Sequence, residues 1–309
     1  MSMADRDGLI WFDGEMIPWR DAKVHVLTHT LHYGMGVFEG VRAYHTESRG
    51  TCIFRLNEHT TRLLDSAKIM NMQVPFSHAD LNEAQRRAVR DNNLKEAYIR
   101  PVIFLGSEGM GLRATGLKIH VAVAAWDWPS YMAPEARELG IKVRTSSFTR
   151  HHVNISMTRA KANGNYINSM LALQEALSGG ADEALLLDPE GYVAEGSGEN
   201  VFIVRDGIIY TPELTSCLNG ITRNTILNLS KEAGYQLVEK RITRDEVYIA
   251  DEAFFTGTAA EVLPIRELDG RTIGAGRRGP VTTKLQSMYF DQVKGRRREQ
   301  FPEWLTPVA

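Results

Sequence analysis

The segment Ala160-Lys161-Ala162-Asn163-Gly164-Asn165-Tyr166 places a lysine in surroundings that are unusual for a surface charge. Alanines flank this lysine, and a Gly-Asn pair and a tyrosine follow it. Small neighbours of this kind would leave room for a planar group beside the amine. A lysine amine in such a site is a candidate nucleophile toward an aldehyde. A lysine taken alone is more often a solvated surface charge, so other motifs have to support the interpretation.

A second motif follows, in which acidic residues stand among glycines. It reads Gly191-Tyr192-Val193-Ala194-Glu195-Gly196-Ser197-Gly198-Glu199-Asn200. An amine for an aldehyde and a carboxylate for a pyridinium nitrogen are the two groups that pyridoxal phosphate (PLP) requires. The two motifs together therefore make PLP the candidate cofactor.

Two further segments are candidates for holding a phosphate. Gly220-Ile221-Thr222 precedes a periodic apolar segment, and a helix that begins there would offer backbone N–H groups, a hydroxyl and its positive end to an anion. Thr256-Gly257-Thr258-Ala259-Ala260 follows an apolar strand, and its small residues would let a ligand approach the backbone. Taken separately, each segment is equally consistent with an ordinary helix N-cap or a plain turn.

Composition and charge are those of an ordinary soluble globular protein of 309 residues, with 43% hydrophobic and 24% charged residues. The net charge of -2 gives no general attraction to nucleic acid or to an anionic membrane. No apolar run approaches the roughly 18 residues of a membrane span, and the N-terminus lacks the apolar core of a signal peptide. Cys52 and Cys217 are expected to be free thiols in a reducing cytoplasm. The histidines have no partners at metal-ligand spacing, so no metal site is predicted.

Hydrophobic periodicity predicts an N-terminal region in which strands and helices alternate. Asp13-Gly14 predicts a tight hairpin turn between the first two strands. The elements predicted before residue 127 are strands 9–12 and 15–17, helices 58–70 and 84–89, and strands 97–105 and 118–126. The stretch 127–134 contains two prolines and is interpreted as the connection between two domains.

The region beyond this connection is predicted to combine short strands with a few helices. Its predicted elements are strand 141–147, a buried helix 165–177, strands 183–187, 192–194, 200–204 and 208–210, a helix that ends at Gly234, and strand 252–255. The turn-forming residues between these strands favour antiparallel pairing. No strand is followed by G-x-G-x-x-G, which argues against a Rossmann fold.

Taken in order, the motifs make the chain similar to the branched-chain amino-acid aminotransferases, which are class IV aminotransferases of PLP fold type IV. The motifs that carry the resemblance nearly end to end are Tyr33-Gly34-Met35-Gly36-Val37-Phe38-Glu39-Gly40, Tyr98-Ile99-Arg100-Pro101, 160–166, 195–200, 220–223 and 257–261. The resemblance implies an α/β fold of the α+β type with two domains. These would be a smaller N-terminal α/β domain at 1–133 and a larger PLP-binding domain at 134–309, joined at about 127–136. The larger domain would contain a pseudobarrel of mostly antiparallel strands.

The resemblance also implies a role for each cofactor-binding residue. Lys161 would hold PLP covalently and then act as the general acid and base that moves the proton of the substrate α-carbon. Glu195 would pair with the pyridinium nitrogen and keep it protonated. Arg62 would clamp the phosphate. The remaining contacts would come from the amides of Ile221 and Thr222 and from Thr258 at the phosphate, and from Tyr166 at the ring phenolate oxygen.

The implied reaction moves an amino group between leucine, isoleucine or valine and 2-oxoglutarate by a ping-pong mechanism, so one pocket must accept an apolar side chain and then glutamate. The resemblance assigns the apolar wall to Tyr33, Phe38, Tyr131 and Tyr166, the glutamate γ-carboxylate to Arg100, and the α-carboxylate to Tyr98 and the amides of Thr258 and Ala259. In the family, Tyr33 and the Gly109-Met110-Gly111-Leu112 loop reach the neighbouring subunit's site. Two positions depart from the family pattern: Asn163 stands where many relatives carry glycine, and Leu112 is bulkier than the expected valine.

The resemblance implies a cytoplasmic enzyme of amino-acid biosynthesis that forms at least a homodimer, with a hexamer as the alternative. D-amino-acid aminotransferase, (R)-amine transaminase and aminodeoxychorismate lyase share the fold and the cofactor, and they are the alternative functions. They would retain Lys161 and Glu195, whereas Tyr98-Ile99-Arg100 and Phe38-Glu39-Gly40 favour the branched-chain enzyme.

Overall fold

The computed structural model of the protein describes residues 2–128, 135–297 and 299–309. The chain divides into two compact units. The first unit contains Met1–Pro129, Ala160–Gly164 and Gln292–Ala309, and the second contains Ser130–Arg159 and Asn165–Asp291. The predicted connection at 127–136 falls largely on residues 129–134, which lie outside the described residues, so the predicted domain boundaries stay a prediction.

The structure contains the predicted strands and helices together with others that the sequence patterns did not predict. The helices are α1 (His29–Tyr33), α2 (Leu56–Ile69), α3 (His78–Arg90), α4 (Ala136–Leu139), α5 (Tyr166–Ser178), α6 (Ile221–Glu232), α7 (Arg244–Tyr248) and α8 (Pro280–Val293). The strands are β1 (Leu9–Phe12), β2 (Glu15–Pro18), β3 (Gly36–Phe38), β4 (Val41–Thr46), β5 (Gly50–Phe54), β6 (Ala97–Leu105), β7 (Ile119–Trp126), β8 (Ile141–Thr145), β9 (Glu183–Leu187), β10 (Val193–Gly196), β11 (Asn200–Arg205), β12 (Ile208–Thr211), β13 (Leu237–Glu239), β14 (Glu252–Gly257), β15 (Glu261–Leu268), β16 (Arg271–Thr272) and β17 (Leu305–Pro307).

The first unit contains an antiparallel sheet in the order β17-β5-β4-β6-β7-β1-β2, with β3 paired to β6. The predicted hairpin β1–β2 is confirmed. Asp13 and Gly14 adopt φ values of 48° and 106°, and positive values at both positions are what a two-residue hairpin turn requires. Helices α2 and α3 cover one face of the sheet, and Leu63 and Val89 from these helices are fully buried in the core.

The segment Ala160–Gly164 belongs to the first unit, although it lies far along the chain. Ala162 forms an antiparallel bridge with Val37, and Ala160 and Ala162 are buried in the same core as α2 and α3. The small size of these alanines therefore fits the packing of the core. The expectation that they leave room beside the Lys161 amine stays a prediction.

The second unit contains a larger sheet in the order β10-β9-β8-β15-β14-β11-β12-β13, with β16 paired to β15, and it curls into a half-barrel. Strand β8 is parallel to both of its neighbours, and β12 is parallel to β13. The other pairings are antiparallel. The α/β fold with a mostly antiparallel second sheet is therefore confirmed.

Two details in the second unit differ from the sequence prediction. Helix α5 is not fully buried: Ala172 and Ala176 pack against the core, whereas Ile167 and Met170 are 64% and 59% exposed. Its apolar residues therefore occupy two faces, of which only one packs within the unit. Strand β14 runs through Gly257, so the turn that joins it to β15 is confined to 258–260.

No helix in the described part of the chain is both long enough and apolar enough to cross a lipid bilayer. Cys52 and Cys217 are free, buried thiols, as predicted.

Candidate active site

Lys161 is fixed in the first unit through its backbone. Its carbonyl accepts a hydrogen bond from the Phe38 amide at 3.1 Å, and its amide donates to the Ser66 hydroxyl at 3.0 Å. Its Nζ lies 5.1 Å from the centre of the Phe38 ring. The position of the lysine is thus set by a β-type contact on one side and by helix α2 on the other.

One face of helix α2 carries the groups that surround Glu39. The carboxylate of Glu39 is fully buried and accepts two hydrogen bonds from Arg62, from Nε at 2.6 Å and from Nη2 at 3.0 Å. The Nδ1 atom of His59 lies 2.7 Å from the same carboxylate. His59, Arg62 and Ser66, which contact Glu39 or Lys161, are three or four positions apart along α2. This is the spacing of residues on one face of a helix. The cluster of Glu39, His59 and Arg62 therefore ties helix α2 to the end of β3.

The charges in this cluster are set by burial and by pairing. Burial would raise the pKa of Glu39, but the neighbouring Arg62 and His59 outweigh it and hold that pKa well below its ordinary value. Burial lowers the pKa of His59 by more than the Glu39 carboxylate raises it. Glu39 is therefore an anion and His59 is neutral, so the Nδ1 of His59 donates its proton to the carboxylate.

We expect Glu39→Gln to destabilise the protein by about 1–3 kcal/mol at neutral pH, because the partly buried guanidinium of Arg62 loses its charged acceptor. The folded-state pKa of Glu39 is depressed, so its contribution is complete above the ordinary carboxyl value of 4.5 and is lost as the pH falls below it. Urea unfolding from pH 7 down to about 3.5 should show the gap between wild type and variant narrowing at the acid end. Asp5→Asn breaks an exposed pair with Arg20 and is the control, for which little change is expected. A gap that widened on acidification would contradict this assignment of charge.

Arg100 lies on β6 with a donor that no described residue accepts. Its Nη2 donates to the Tyr98 hydroxyl at 3.1 Å, and its guanidinium lies over the Phe38 ring at 4.8 Å. Its Nε is buried and has no hydrogen-bond partner among the described residues. A Cβ on Gly40 would lie 2.2 Å from the Tyr98 hydroxyl oxygen, so glycine is required there for Tyr98 to reach Arg100. The result is a cation with an unused donor beside an aromatic wall.

Tyr33 and Leu112 are exposed within this single chain. Tyr33 ends helix α1 and is 42% exposed, and Leu112 is 88% exposed in the loop after β6. The ring of His29 connects the two regions, because its Nε2 lies 3.0 Å from the carbonyl oxygen of Gly111. The predicted substrate residue Tyr131 lies outside the described residues.

In the second unit, the carboxylate of Glu195 is buried on β10 and is engaged at both oxygens. Its Oε1 lies 2.8 Å from the Nε of Arg150, and its Oε2 accepts a hydrogen bond from the Leu218 amide at 3.1 Å. The approach of Arg150 is off the N–H axis, so this contact is a close ion pair without an aligned hydrogen bond at Nε. Each carboxylate oxygen has two lone pairs, so acceptor capacity remains for one more donor.

The three glycine-containing motifs of the second unit meet around this carboxylate. The side-chain amide of Asn200 donates to the carbonyl of Leu218 at 2.9 Å, and a Cβ on Gly220 would lie 1.9 Å from the Asn200 Oδ1. Asn200 pairs with Thr256 across β11 and β14, which places Gly257 beside Gly198. The motifs at 195–200, 220–223 and 257–261 are therefore joined by direct contacts.

This arrangement fits a phosphorylated pyridine. Helix α6 begins at Ile221, and its N-cap, Gly220, has no side chain to cap the first amides. The amides of Ile221 and Thr222 are thus suited to an outside acceptor such as an anion. Thr258 lies in the adjoining turn, and Tyr166 is the first residue of α5. Glu195 is a buried, ion-paired carboxylate of the kind that a protonated pyridine nitrogen would require.

Sequence reasoning missed the residues that hold the predicted ones. Glu39 was noted only as part of a motif, and neither His59 nor Arg150 was assigned a function. Their partners lie far away in the chain, for example 20 residues between His59 and Glu39. No local sequence pattern marks such a pair.

Known proteins are similar to this chain in sequence and in fold over nearly its whole length. The family model described as amino-transferase class IV matches residues 36–268. The chain is 75% identical over 308 residues to the branched-chain-amino-acid aminotransferase of Pseudomonas aeruginosa, with 100% of each chain covered. The crystal structure of the branched-chain amino acid aminotransferase of Escherichia coli has 46% identity and a TM-score of 0.96, covering 98% of this chain and 100% of that one. The enzyme of Thermobaculum terrenum in its PLP form has 35% identity and a TM-score of 0.90, covering 97% and 98%. The chain therefore belongs to the class IV aminotransferases.

Proposed function

We propose that this protein is a PLP-dependent branched-chain amino-acid aminotransferase, which exchanges amino groups between leucine, isoleucine or valine and 2-oxoglutarate. The observation that carries the proposal is the full-length similarity to the branched-chain enzyme of Pseudomonas aeruginosa. The unpartnered donor of Arg100 beside the Phe38 ring supports it, because a pocket for both an apolar side chain and a γ-carboxylate needs a cation next to an apolar wall.

The cofactor-binding residues have separate tasks. When bound, PLP supplies an electron-withdrawing ring for the electron pair released at the substrate α-carbon. Lys161 would hold the aldehyde through its Nζ, and the same amine in its neutral form would take the α-proton and return it. Glu195 would pair with the ring nitrogen and keep it protonated. Tyr166 would donate to the ring oxygen.

The phosphate-binding groups orient the ring rather than react. The amides of Ile221 and Thr222, together with Thr258, provide neutral donors at a helix N-terminus. Arg62 provides a positive charge. Its Nε and Nη2 donate hydrogen bonds to the Glu39 carboxylate. Glu39 would therefore set the direction in which Arg62 points.

The two substrates share one orientation and differ at the side chain. Tyr98 and the amides of Thr258 and Ala259 bind the α-carboxylate that both substrates carry. Phe38 and Tyr33 provide the apolar wall for the branched side chain. Arg100 binds the γ-carboxylate of glutamate when that substrate takes its place.

A second copy of the chain completes the proposal, with a homodimer as the minimum and a hexamer as the alternative. Tyr33, Leu112 and the outer face of α5 expose large apolar side chains that a partner would cover. The Gly111–Leu112 loop would extend toward the partner's substrate. The cytoplasm is the proposed location, since both cysteines are free thiols.

A substrate panel with 2-oxoglutarate as acceptor tests the proposal. Leucine, isoleucine and valine should be converted efficiently, whereas D-alanine and (R)-1-phenylethylamine should not. Efficient turnover of a D-amino acid or of the amine, with poor turnover of leucine, would favour the other fold type IV enzymes.

Glu195→Gln is expected to leave PLP bound but to slow transamination by roughly 2–4 kcal/mol in activation free energy, because a neutral amide cannot stabilise a protonated ring nitrogen. Steady-state kcat with leucine measures the effect, and cofactor absorbance measures occupancy. Glu199→Gln is the matched comparison, since Glu199 is also buried in the same motif. An unchanged kcat in the Glu195 variant with a large loss in the Glu199 variant would transfer the role to Glu199.

A further inference from the structure

Arg150 contacts two parts of the second unit that the proposed function assigns to the same ring. Its backbone amide bonds to the Leu187 carbonyl at 2.8 Å, which fixes it beside β9. Its Nε lies 2.8 Å from the Glu195 carboxylate. Its Nη1 donates to Asn168 Oδ1 at 3.2 Å and to Ser169 Oγ at 2.9 Å. One guanidinium thus joins Glu195 to the first turn of α5, the helix that begins at Tyr166.

Both side chains of the Arg150–Glu195 ion pair are buried, so their charges must be compensated within the protein. The side chains of Arg150 and Glu195 are 8% and 6% exposed. A buried carboxylate is stable as an anion only with a compensating charge or several donors. The Leu218 amide is a neutral donor, so Arg150 provides the positive charge in direct contact.

The rigid fork of arginine also matters here. A planar guanidinium that is ion-paired on one side and hydrogen-bonded on the other holds those two sides at a set distance, and a lysine ammonium, as a single point, does not. In the proposed function, one side is Glu195, which pairs with the ring nitrogen. The other is helix α5, whose Tyr166 bonds to the ring oxygen.

We infer that Arg150 is a positioning residue for the cofactor ring: it holds the Glu195 carboxylate and the first turn of α5 in the arrangement that selects a ring with a protonated nitrogen. This inference rests on the proposed function. Arg150 is assigned no contact with the substrate, and its effect on the cofactor ring passes through Glu195.

The test uses apo-protein and two probes, PLP and 1-deaza-PLP, in which a carbon replaces the ring nitrogen. Both probes keep the aldehyde, the phosphate and the ring hydroxyl, so the ratio of their dissociation constants isolates the contact at the ring nitrogen. Equilibrium titration followed by tryptophan fluorescence gives both constants without any turnover. Wild type should prefer PLP, and Glu195→Gln sets the ratio expected when that contact is lost.

Arg150→Met should reduce the preference for PLP by at least about tenfold, the effect of losing one preorganised charge partner. The double variant Arg150→Met with Glu195→Gln should show the same ratio as Glu195→Gln alone, because the two residues act as one unit. Arg55→Met is the control. Arg55 is also 8% exposed and ion-paired, but with Glu58 in the first unit. It should keep the wild-type ratio whatever its cost in stability.

Equal weakening of both probes in Arg150→Met would overturn the inference and leave Arg150 a purely structural residue. If that variant does not fold, Arg150→Lys serves, since it keeps the charge but cannot reach both partners. An intermediate ratio supports the inference, and an unchanged ratio overturns it. Wild-type protein that bound neither probe would overturn the proposed function itself.

Discussion

Replacing Lys161 with alanine is expected to abolish multiple-turnover transamination, with a loss of at least about four orders of magnitude in kcat. The lysine amine is both the aldehyde's partner and the carrier of the α-proton, so no neighbouring group can replace both functions. The visible absorbance that depends on the bond between lysine and PLP should disappear as well.

Folding should survive this substitution. The backbone of Lys161 makes its contacts through its carbonyl and amide, to Phe38 and Ser66, and alanine keeps both. Circular dichroism and thermal unfolding check this point, and Lys68→Ala, at an exposed position of α2, is the matched control that should retain full activity. Substantial turnover by the Lys161 variant would remove this residue from the mechanism.

Arg100→Met is expected to separate the two half-reactions. The guanidinium is needed for the γ-carboxylate of glutamate and much less for the apolar side chain of leucine. Loss of one partner of a buried charge pair typically costs about 2–5 kcal/mol, and this cost should fall on glutamate and 2-oxoglutarate only. Methionine keeps most of the apolar volume beside Phe38, so leucine should still react.

Single-turnover reactions followed by the cofactor absorbance measure each amino acid separately. Arg87→Met is the control, because Arg87 pairs with Asp91 on the surface of α3. Equal losses for leucine and glutamate would indicate that Arg100 binds the shared α-carboxylate or supports β6. In that case another group would have to recognise the γ-carboxylate.

Local patterns in the sequence predicted many of the strands and helices, although α1, α7, α8 and β3–β5 were not among them. The Asp13-Gly14 hairpin, strands β6 and β7, and helix α6 with its stop at Gly234 all depend on residues within one turn or one short strand. Periodicity and turn chemistry act over such distances, so they can be read without tertiary information. The order of the glycine motifs likewise determined the family, which the comparisons confirm.

Local patterns did not predict correctly how far helix α5 is buried. The apolar residues of α5 predicted a buried helix, yet Ile167 and Met170 face outward. Apolar residues on several faces of a helix indicate that those faces favour burial. They do not indicate whether the surface that buries them belongs to the same chain or to another. The assigned roles of the individual site residues stay predictions of the family resemblance.

By itself, the sequence determined the family and many of the elements, and it singled out Lys161 as the candidate cofactor-binding lysine. Only the tertiary structure decided that Ala160–Gly164 joins the first unit, that Glu39 orients Arg62, and that Arg150 pairs with Glu195. These contacts join residues separated by more than twenty positions. In the two ion pairs, attraction between the buried charges offsets the cost of removing each charge from water. The sequence alone does not indicate whether a charged residue will be buried or which opposite charge it will pair with. Its partner is set by the packing of the sheets and helices between them.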